Sequence, residues 1–472
     1  MDIKTSVLWS LAEAAVTLAT SLVMVLFVAR LIGPHAFGLA AIATFAGALA
    51  ETLVAIPFSD PLIQRRDVDE VVVNTAHSCM SLAGAVAFLL MLSASPLIAH
   101  AYGAPELVGL VAVQGLTCLA LGMRGAREAM LAKGLAFRSL AIRGMAAKLS
   151  GGIASVVLAL SGAGAWSIII GNVMYAAAAT ALVWAATSRN IRFGLDYGIA
   201  ASLFRFGRFT LADALLTVAG PRLYGFLAAF YFGLEVFGQI GAAFRISDAV
   251  IALLWAITVR MALPIFSTIA SDPQRLFEGW VTGTHLILLI ATPVFLGLAS
   301  TGPEIVPLIL GPEWGAAVPA LAAVCVYTVF NLAAVLVQPA IKAAGRPALL
   351  LYLHGVTLAV LLVASVVAGW FGLNPFLATY SLVGAVYFAT ALTILRKVTP
   401  GAPFAMLGRV GWPAPLAGLL MVAVLGVERT MLGGIAPAAR LTAMVATGAF
   451  VYLALLFVLH RRELKKLISQ TT

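Results

Sequence analysis

Fourteen apolar stretches, each long enough to cross a bilayer, follow one another along almost the whole chain. They cover residues 7–31, 36–58, 73–99, 107–130, 141–161, 165–187, 205–232, 236–263, 276–300, 315–341, 347–370, 374–395, 411–432 and 438–459. A membrane-crossing helix needs about 20 mostly apolar residues, and the backbone of such a span must satisfy its own polar groups. The breaks carry Gly, Pro and charge, as at Gly33-Pro34, Gly103-Ala104-Pro105-Glu106 and Gly311-Pro312-Glu313. Composition removes the alternative of soluble domains. Only 10% of the 472 residues are charged, the mean hydropathy is +1.05, and soluble domains carry about 25% charged residues. Met1 to Glu13 lacks a basic stretch followed by an uninterrupted apolar run, so the first segment is expected to remain as a span. The fold class expected is an all-α integral membrane protein of about fourteen transmembrane helices.

The net charge of +10 would suit a nucleic-acid partner only if it formed a surface, and it does not. The basic residues sit between apolar segments, where they face cytoplasm and anionic headgroups. With the N-terminus inside, 24 of the 29 Lys and Arg fall at the termini or in the inner connections, Lys148, Arg192 and Lys397 among them. Arg30, Arg429 and Arg440 fall outside, and Arg222 and Arg245 lie within the seventh and eighth segments. A miscounted helix would invert this pattern downstream of the error. The expected location is therefore the bacterial inner membrane, with both termini cytoplasmic. The longest outer connection, residues 301–314, has no room for a folded domain. Cys79, Cys118 and Cys325 lie far apart inside apolar segments, which suits apolar filler better than a disulfide or metal site.

A repeat of two hundred residues runs through the pattern. Residues 11–19 and 211–219 read LAEAAVTLA and LADALLTVA. Five of the nine positions are identical, and Glu13 meets Asp213. Thr17 and Thr217 follow one turn later on the same helical face. Gly33, Phe37 and Gly38 recur as Gly233, Phe237 and Gly238. A duplicated six-helix unit re-enters the membrane in the same orientation, so the halves are parallel repeats with sites expected at their interface. The predicted domains are a six-helix bundle over 1–200, a second over 201–400, and two further helices with a basic tail over 401–472.

Charge within a span is costly, ~2.5–3.5 kcal/mol on insertion scales, and it usually faces a cavity or a partner. Arg222 and Arg245 lie at similar distances from the outer ends of consecutive antiparallel segments. Two guanidinium groups at one level suit bidentate binding of pyrophosphate or acidic sugars. Alternatively, Arg245 pairs with Asp248 at i, i+3, and Arg222 bonds a carbonyl released by Pro221. Glu13 and Asp213, near the inner ends of segments 1 and 7, suit a coupling ion, an inner gate or a plain interhelical contact. Asp248 joins this coupling or gating set. No phosphate loop, zinc-ligand spacing or nucleophile triad is present in the sequence, so no enzyme activity, cofactor or metal is expected.

The segments ARLIGPHAFGLAAIA (29–43), DPLIQRRDVDE (60–70), LAKGLAFRSLAIRG (131–144), LILGPEWGAAVPAL (308–321) and KAAGRP (342–347) together resemble a known family. It is the polysaccharide flippases of the multidrug/oligosaccharidyl-lipid/polysaccharide (MOP) exporter superfamily, in its Wzx-like branch. The resemblance covers about residues 7–400. It implies two six-helix bundles forming a V around a cavity lined by helices 1, 2, 7 and 8. The implied substrate is a polyprenyl-pyrophosphate-linked oligosaccharide, moved to the outer leaflet by alternating access for exopolysaccharide or lipopolysaccharide synthesis. It also implies membrane lipids, a polysaccharide polymerase and export machinery as partners, and places Arg30 at the cavity rim and Glu51 in its wall. Tyr224 stands where relatives often carry an acidic residue, so no ion-coupling role carries over there. A multidrug/cation antiporter of the same superfamily is the alternative, though twelve helices are usual in that group. A membrane glycan polymerase or ligase is disfavoured by the short outer connections, and a major-facilitator permease by the short 188–204 linker.

Overall fold

The computed structural model describes residues 16, 19, 20, 22–65, 67–133, 137–187, 191–269, 272–346, 348–399 and 413–459, and all regular structure among them is helical. Twelve helical stretches are long and apolar enough to cross a membrane. Two of them contain a glycine whose backbone leaves the helix, Gly33 (φ 78°, ψ 168°) and Gly233 (φ 83°, ψ 171°). Each of these breaks divides one stretch into two helices, which gives fourteen helices in this series among the described residues. In chain order they are α1 (22–32), α2 (34–64), α3 (Glu70–Tyr102), α4 (Leu107–Lys133), α5 (Phe137–Leu160), α6 (Trp166–Ala186), α7 (197–232) and α8 (234–269). They continue with α9 (Pro273–Ser300), α10 (Ala317–Ala343), α11 (Ala348–Gly369), α12 (Leu373–Leu395), α13 (Pro413–Met431) and α14 (Pro437–Leu459).

Gly33 and Gly233 show why the repeat is visible in sequence. Both occupy the same backbone region, with φ 78° and 83°, which side chains with a Cβ rarely enter. Five residues later the matched glycines pack reciprocally. A Cβ on Gly38 would fall 2.0 Å from the Leu234 carbonyl oxygen, and one on Gly238 would fall 2.1 Å from the Pro34 carbonyl oxygen. Leu234 is the two-hundred-residue mate of Pro34, so the contact maps onto itself under the repeat, as across a two-fold axis. Small residues let backbones approach where lipid supplies no hydrophobic drive for association. The chain divides into two compact units, Met1–Arg245 and Ile246–Thr472. The first takes in α7 and the start of α8, and within it this glycine contact joins α8 to α2.

Within the second unit the connection after α9 is a folded cap. It contains a short helix, Gly302–Ile309, and a 3-10 turn, Pro312–Trp314, with Trp314 buried. Glu304 of that cap is buried and binds Arg429 at the end of α13 through two contacts of 2.9 and 3.0 Å. Arg440 of α14 lies 3.2 Å from the same carboxylate. Arg429 also donates to the Ser300 carbonyl. Arg429 and Arg440 are thus held by one buried acid, which fastens the appended helices α13 and α14 to the cap. Along the same seam, Tyr452 of α14 donates to the Leu289 carbonyl of α9 at 3.0 Å.

Removing one member of such a cluster leaves charge without its counterion and costs about 3–5 kcal/mol. Glu304→Gln should therefore lower the melting temperature of the purified protein. Adding Arg429→Gln and Arg440→Gln should recover part of the loss. An unchanged melting temperature in Glu304→Gln would show that the cluster contributes nothing to the cap.

Candidate functional site

The first unit brings α2, α7 and α8 together around an aromatic patch that carries both intramembrane arginines. Arg222 lies eleven residues before Gly233 and Arg245 twelve after it, about 16–18 Å along each helix. The Arg222 guanidinium sits 5.7 Å from the Phe45 ring centroid, and that of Arg245 sits 5.2 Å from Phe37. Both side chains are half-buried, and Phe37 is fully buried. Phe45 meets Phe237 edge-to-face at 5.5 Å, and buried Tyr224 meets Phe244 edge-to-face at 6.4 Å. Gly225 admits this packing, since a Cβ there would fall 2.6 Å from Phe237 and 3.1 Å from Phe45.

A ring under a guanidinium stabilises it by about 2 kcal/mol or more when desolvated. The aromatic patch therefore offers a way to hold positive charge within the spans.

The other candidates are placed separately. Arg30 is exposed at the end of α1, three residues before Gly33. Asp213 is half-buried on α7, and the Thr217 hydroxyl donates to its backbone carbonyl at 2.8 Å. Asp248 is exposed on α8 and lies within electrostatic reach of Tyr327 of α10. Glu13 lies outside the described residues. Glu51 of α2 is half-buried and accepts a hydrogen bond from the Thr117 hydroxyl of α4.

Glu51 belongs to a polar network that sequence reasoning missed. Thr117 lies 2.9 Å from the Gln114 backbone carbonyl, which it can donate to. Asn172 of α6 donates to the Gln114 side-chain oxygen at 3.1 Å and to Thr44 of α2 at 3.4 Å. Gln114 lies so close to α2 that a Cβ on Gly47 would fall 2.9 Å from its Cγ. Thr44, Gly47 and Glu51 share one face of α2 by their spacing of three and four residues. The available signal was the pairing of Gln114 with Thr117, at i and i+3, within an otherwise apolar segment.

Each cation–π pair should show a measurable coupling. In a thermal-unfolding cycle of Arg222→Met, Phe45→Leu and the double variant, a coupling of about 0.5–2 kcal/mol is expected. Strict additivity would mean that the ring does nothing for the charge.

Residues 27–319 match the family described as polysaccharide biosynthesis protein. The lipopolysaccharide biosynthesis protein WzxC of Escherichia coli K12 is 26% identical over 67% of this chain and 65% of its own length. The teichuronic acid biosynthesis protein TuaB of Bacillus subtilis 168 is 26% identical over 89% of this chain and 88% of its own. The chain thus spans just under two thirds of WzxC and most of TuaB. Among solved structures, the lipid II flippase MurJ in its inward closed conformation aligns with a TM-score of 0.73. That alignment has 13% identity and covers 98% of this chain and 99% of MurJ, which shows a common fold. With its family matched over more than half of its length, the chain belongs to the polysaccharide biosynthesis protein family.

Proposed function

We propose that this protein flips polyprenyl-pyrophosphate-linked oligosaccharide units from the cytoplasmic to the outer leaflet of a bacterial inner membrane. The observation that carries this reading is the pair of arginines held in the bilayer on the aromatic patch of α2, α7 and α8. A pyrophosphate crossing hydrocarbon must exchange its water for fixed donors, and guanidinium groups supply them in the matching geometry. Arg222 and Arg245 bind the pyrophosphate, and Arg30 meets the cargo at the outer rim. Glu51 lines the same route, and Glu13, Asp213 and Asp248 serve coupling or gating. Bundles over 1–200 and 201–400 alternate access, with 401–472 as an appendage. Both termini are cytoplasmic, and a polysaccharide polymerase and export machinery receive the product. The matched geometry of Gly33 and Gly233 supports the two-bundle division, and the distribution of Lys and Arg supports the orientation.

The test is export in cells whose own flippase is deleted, at equal membrane abundance of each variant. Arg245→Ala should reduce surface polysaccharide at least about tenfold, the effect of ~1.4 kcal/mol. Arg245→Lys keeps the charge without the planar fork and should retain part of the activity. The competing role is an Arg245–Asp248 pair. Restoration of export by Arg245→Ala with Asp248→Ala would remove Arg245 from the substrate site.

Orientation has its own check. Reporter fusions after Lys148, Arg192 and Lys397 should read cytoplasmic, and fusions at Gly103, Gly311 and Asn374 should read outside. One inverted signal between Gly33 and Gly372 would break the parallel repeat.

A further inference from the structure

The connection from α6 to α7 has no regular secondary structure over 191–196, and its residues from Arg192 onward are exposed. Its backbone is nonetheless bound to a single helix. The Arg192 N–H donates to Asn74 Oδ1 at 2.9 Å, the Gly194 N–H to Ser78 Oγ at 3.0 Å, and the Asp196 N–H to Thr75 Oγ1 at 3.2 Å. All three acceptors lie within five consecutive residues near the start of α3. Amides of a surface loop can be satisfied by water, and Ser and Thr hydroxyls in a helix by their own carbonyls. Neither side needs the other for its hydrogen bonds, yet three alternate amides of the loop find three acceptors on one helix.

Both ends of the connection are fixed to the same part of the first unit. At the α6 end, Trp184 donates from Nε1 to the Met123 carbonyl of α4 at 3.1 Å, and the Arg127 guanidinium lies 4.3 Å from its ring. The buried His77 ring of α3 meets Trp184 at 6.4 Å and Phe193 of the connection at 5.0 Å. At the α7 end, Asp196 caps the helix through Oδ1, which accepts from the Ile199 N–H at 2.9 Å. Ile199 and Leu203 then pack on a cluster with Leu62 of α2 and Val72, Ala76 and Met80 of α3. One turn further, a Cβ on Gly207 would fall 2.1 Å from the Pro57 carbonyl oxygen of α2. From Arg192 to Gly207 the chain is held to α2 and α3 at successive turns.

We propose that residues 191–196 are a strap: α3 holds them through Asn74, Thr75 and Ser78, so the start of α7 moves with α3 and the connection has no slack. The bonds run to backbone amides, so the strap depends on the acceptors of α3 and not on the side chains of the connection. A displacement of α3 is passed directly to α7, the helix that carries Arg222. Asn74, Thr75 and Ser78 are positioning residues and act on transport through α7. The role in transport rests on the flippase reading, and the strap itself does not.

Hydrogen exchange on the purified full-length protein, resolved to single amides, tests the strap. The amides of Arg192, Gly194 and Asp196 should exchange more slowly than those of Phe193 and Leu195 between them. Ser78→Ala should speed exchange at Gly194 at least about fivefold, the size of one net hydrogen bond, and Ser78→Thr should not. Asn74→Leu should do the same at Arg192, whereas Asn74→Asp keeps an acceptor oxygen and should not. The Met80 amide, in the buried part of α3, should keep its wild-type rate throughout. Uniform free-chain exchange over 192–196, or an unchanged Gly194 rate in Ser78→Ala, overturns the strap. Transmission is tested by export at equal membrane abundance. Asn74→Leu with Ser78→Ala should lower export about tenfold (~1.4 kcal/mol), and Asn74→Asp with Ser78→Thr should keep most of it. Full export by the first pair, with its strap amides exchanging freely, overturns the transmission. If the strap amides are protected and the wild-type chain exports no polysaccharide, the strap stands and the assigned cargo falls.

Discussion

A charge in hydrocarbon persists only where something replaces water around it, and the arrangement of this chain follows from how each charge is supplied. Arg222 and Arg245 rest on phenylalanine rings of one helix. Arg429 and Arg440 share one buried carboxylate. Glu51 is held by a hydroxyl. These are three different solutions with different consequences. The shared carboxylate neutralises its arginines and so suits a fixed joint. A ring stabilises a cation without itself cancelling the charge. The hydroxyl meets its carboxyl group with a neutral donor. On the proposed reading, anchoring and binding are separated by the kind of partner each ionised group receives.

The close approach of α2 and α8 makes the second of these possible. Phe37 and Phe45 can lie under arginines from α7 and α8 because Gly38 and Gly238 let the two backbones meet. Lipid packs against a side chain nearly as well as another helix does, so van der Waals contact at short range must supply the association. Gly33 and Gly233 serve the same end from the other direction. Their left-handed backbone turns the chain back at once, which sets the starts of α2 and α8 at equivalent heights and brings the glycines into register.

Much of this was legible in sequence, for identifiable reasons. Span number and order follow from apolar length, which the bilayer enforces without reference to tertiary structure. The duplicated Gly33 and Gly233 were visible because few residues can occupy that backbone region, so their spacing of two hundred is preserved in the text of the chain. The arginines stood out because charge is rare in spans. Their ring partners did not. Phe37 and Phe45 are two aromatics among the 25 Phe of the chain, and a helix apolar on all sides gives no periodic sign of which face meets protein. Glu51 was legible as a polar group, but its partner Thr117 is 66 residues away. Glu304 reaches Arg429 across 125 residues. Pairings at such separations are made by helix packing, and hydropathy carries no record of them.

On the proposed orientation, the same reasoning explains why the outer side of the membrane can hold Arg429 and Arg440 against the general bias of the chain. The rule that basic residues stay inside concerns charge that must be translocated and then left facing water or lipid. Here Glu304 lies in the cap that follows α9, and the two arginines arrive later in the chain, on α13 and α14. Once the cap is in place, each arginine meets an acid already buried beside it. The exceptions to the bias thereby mark where late helices dock.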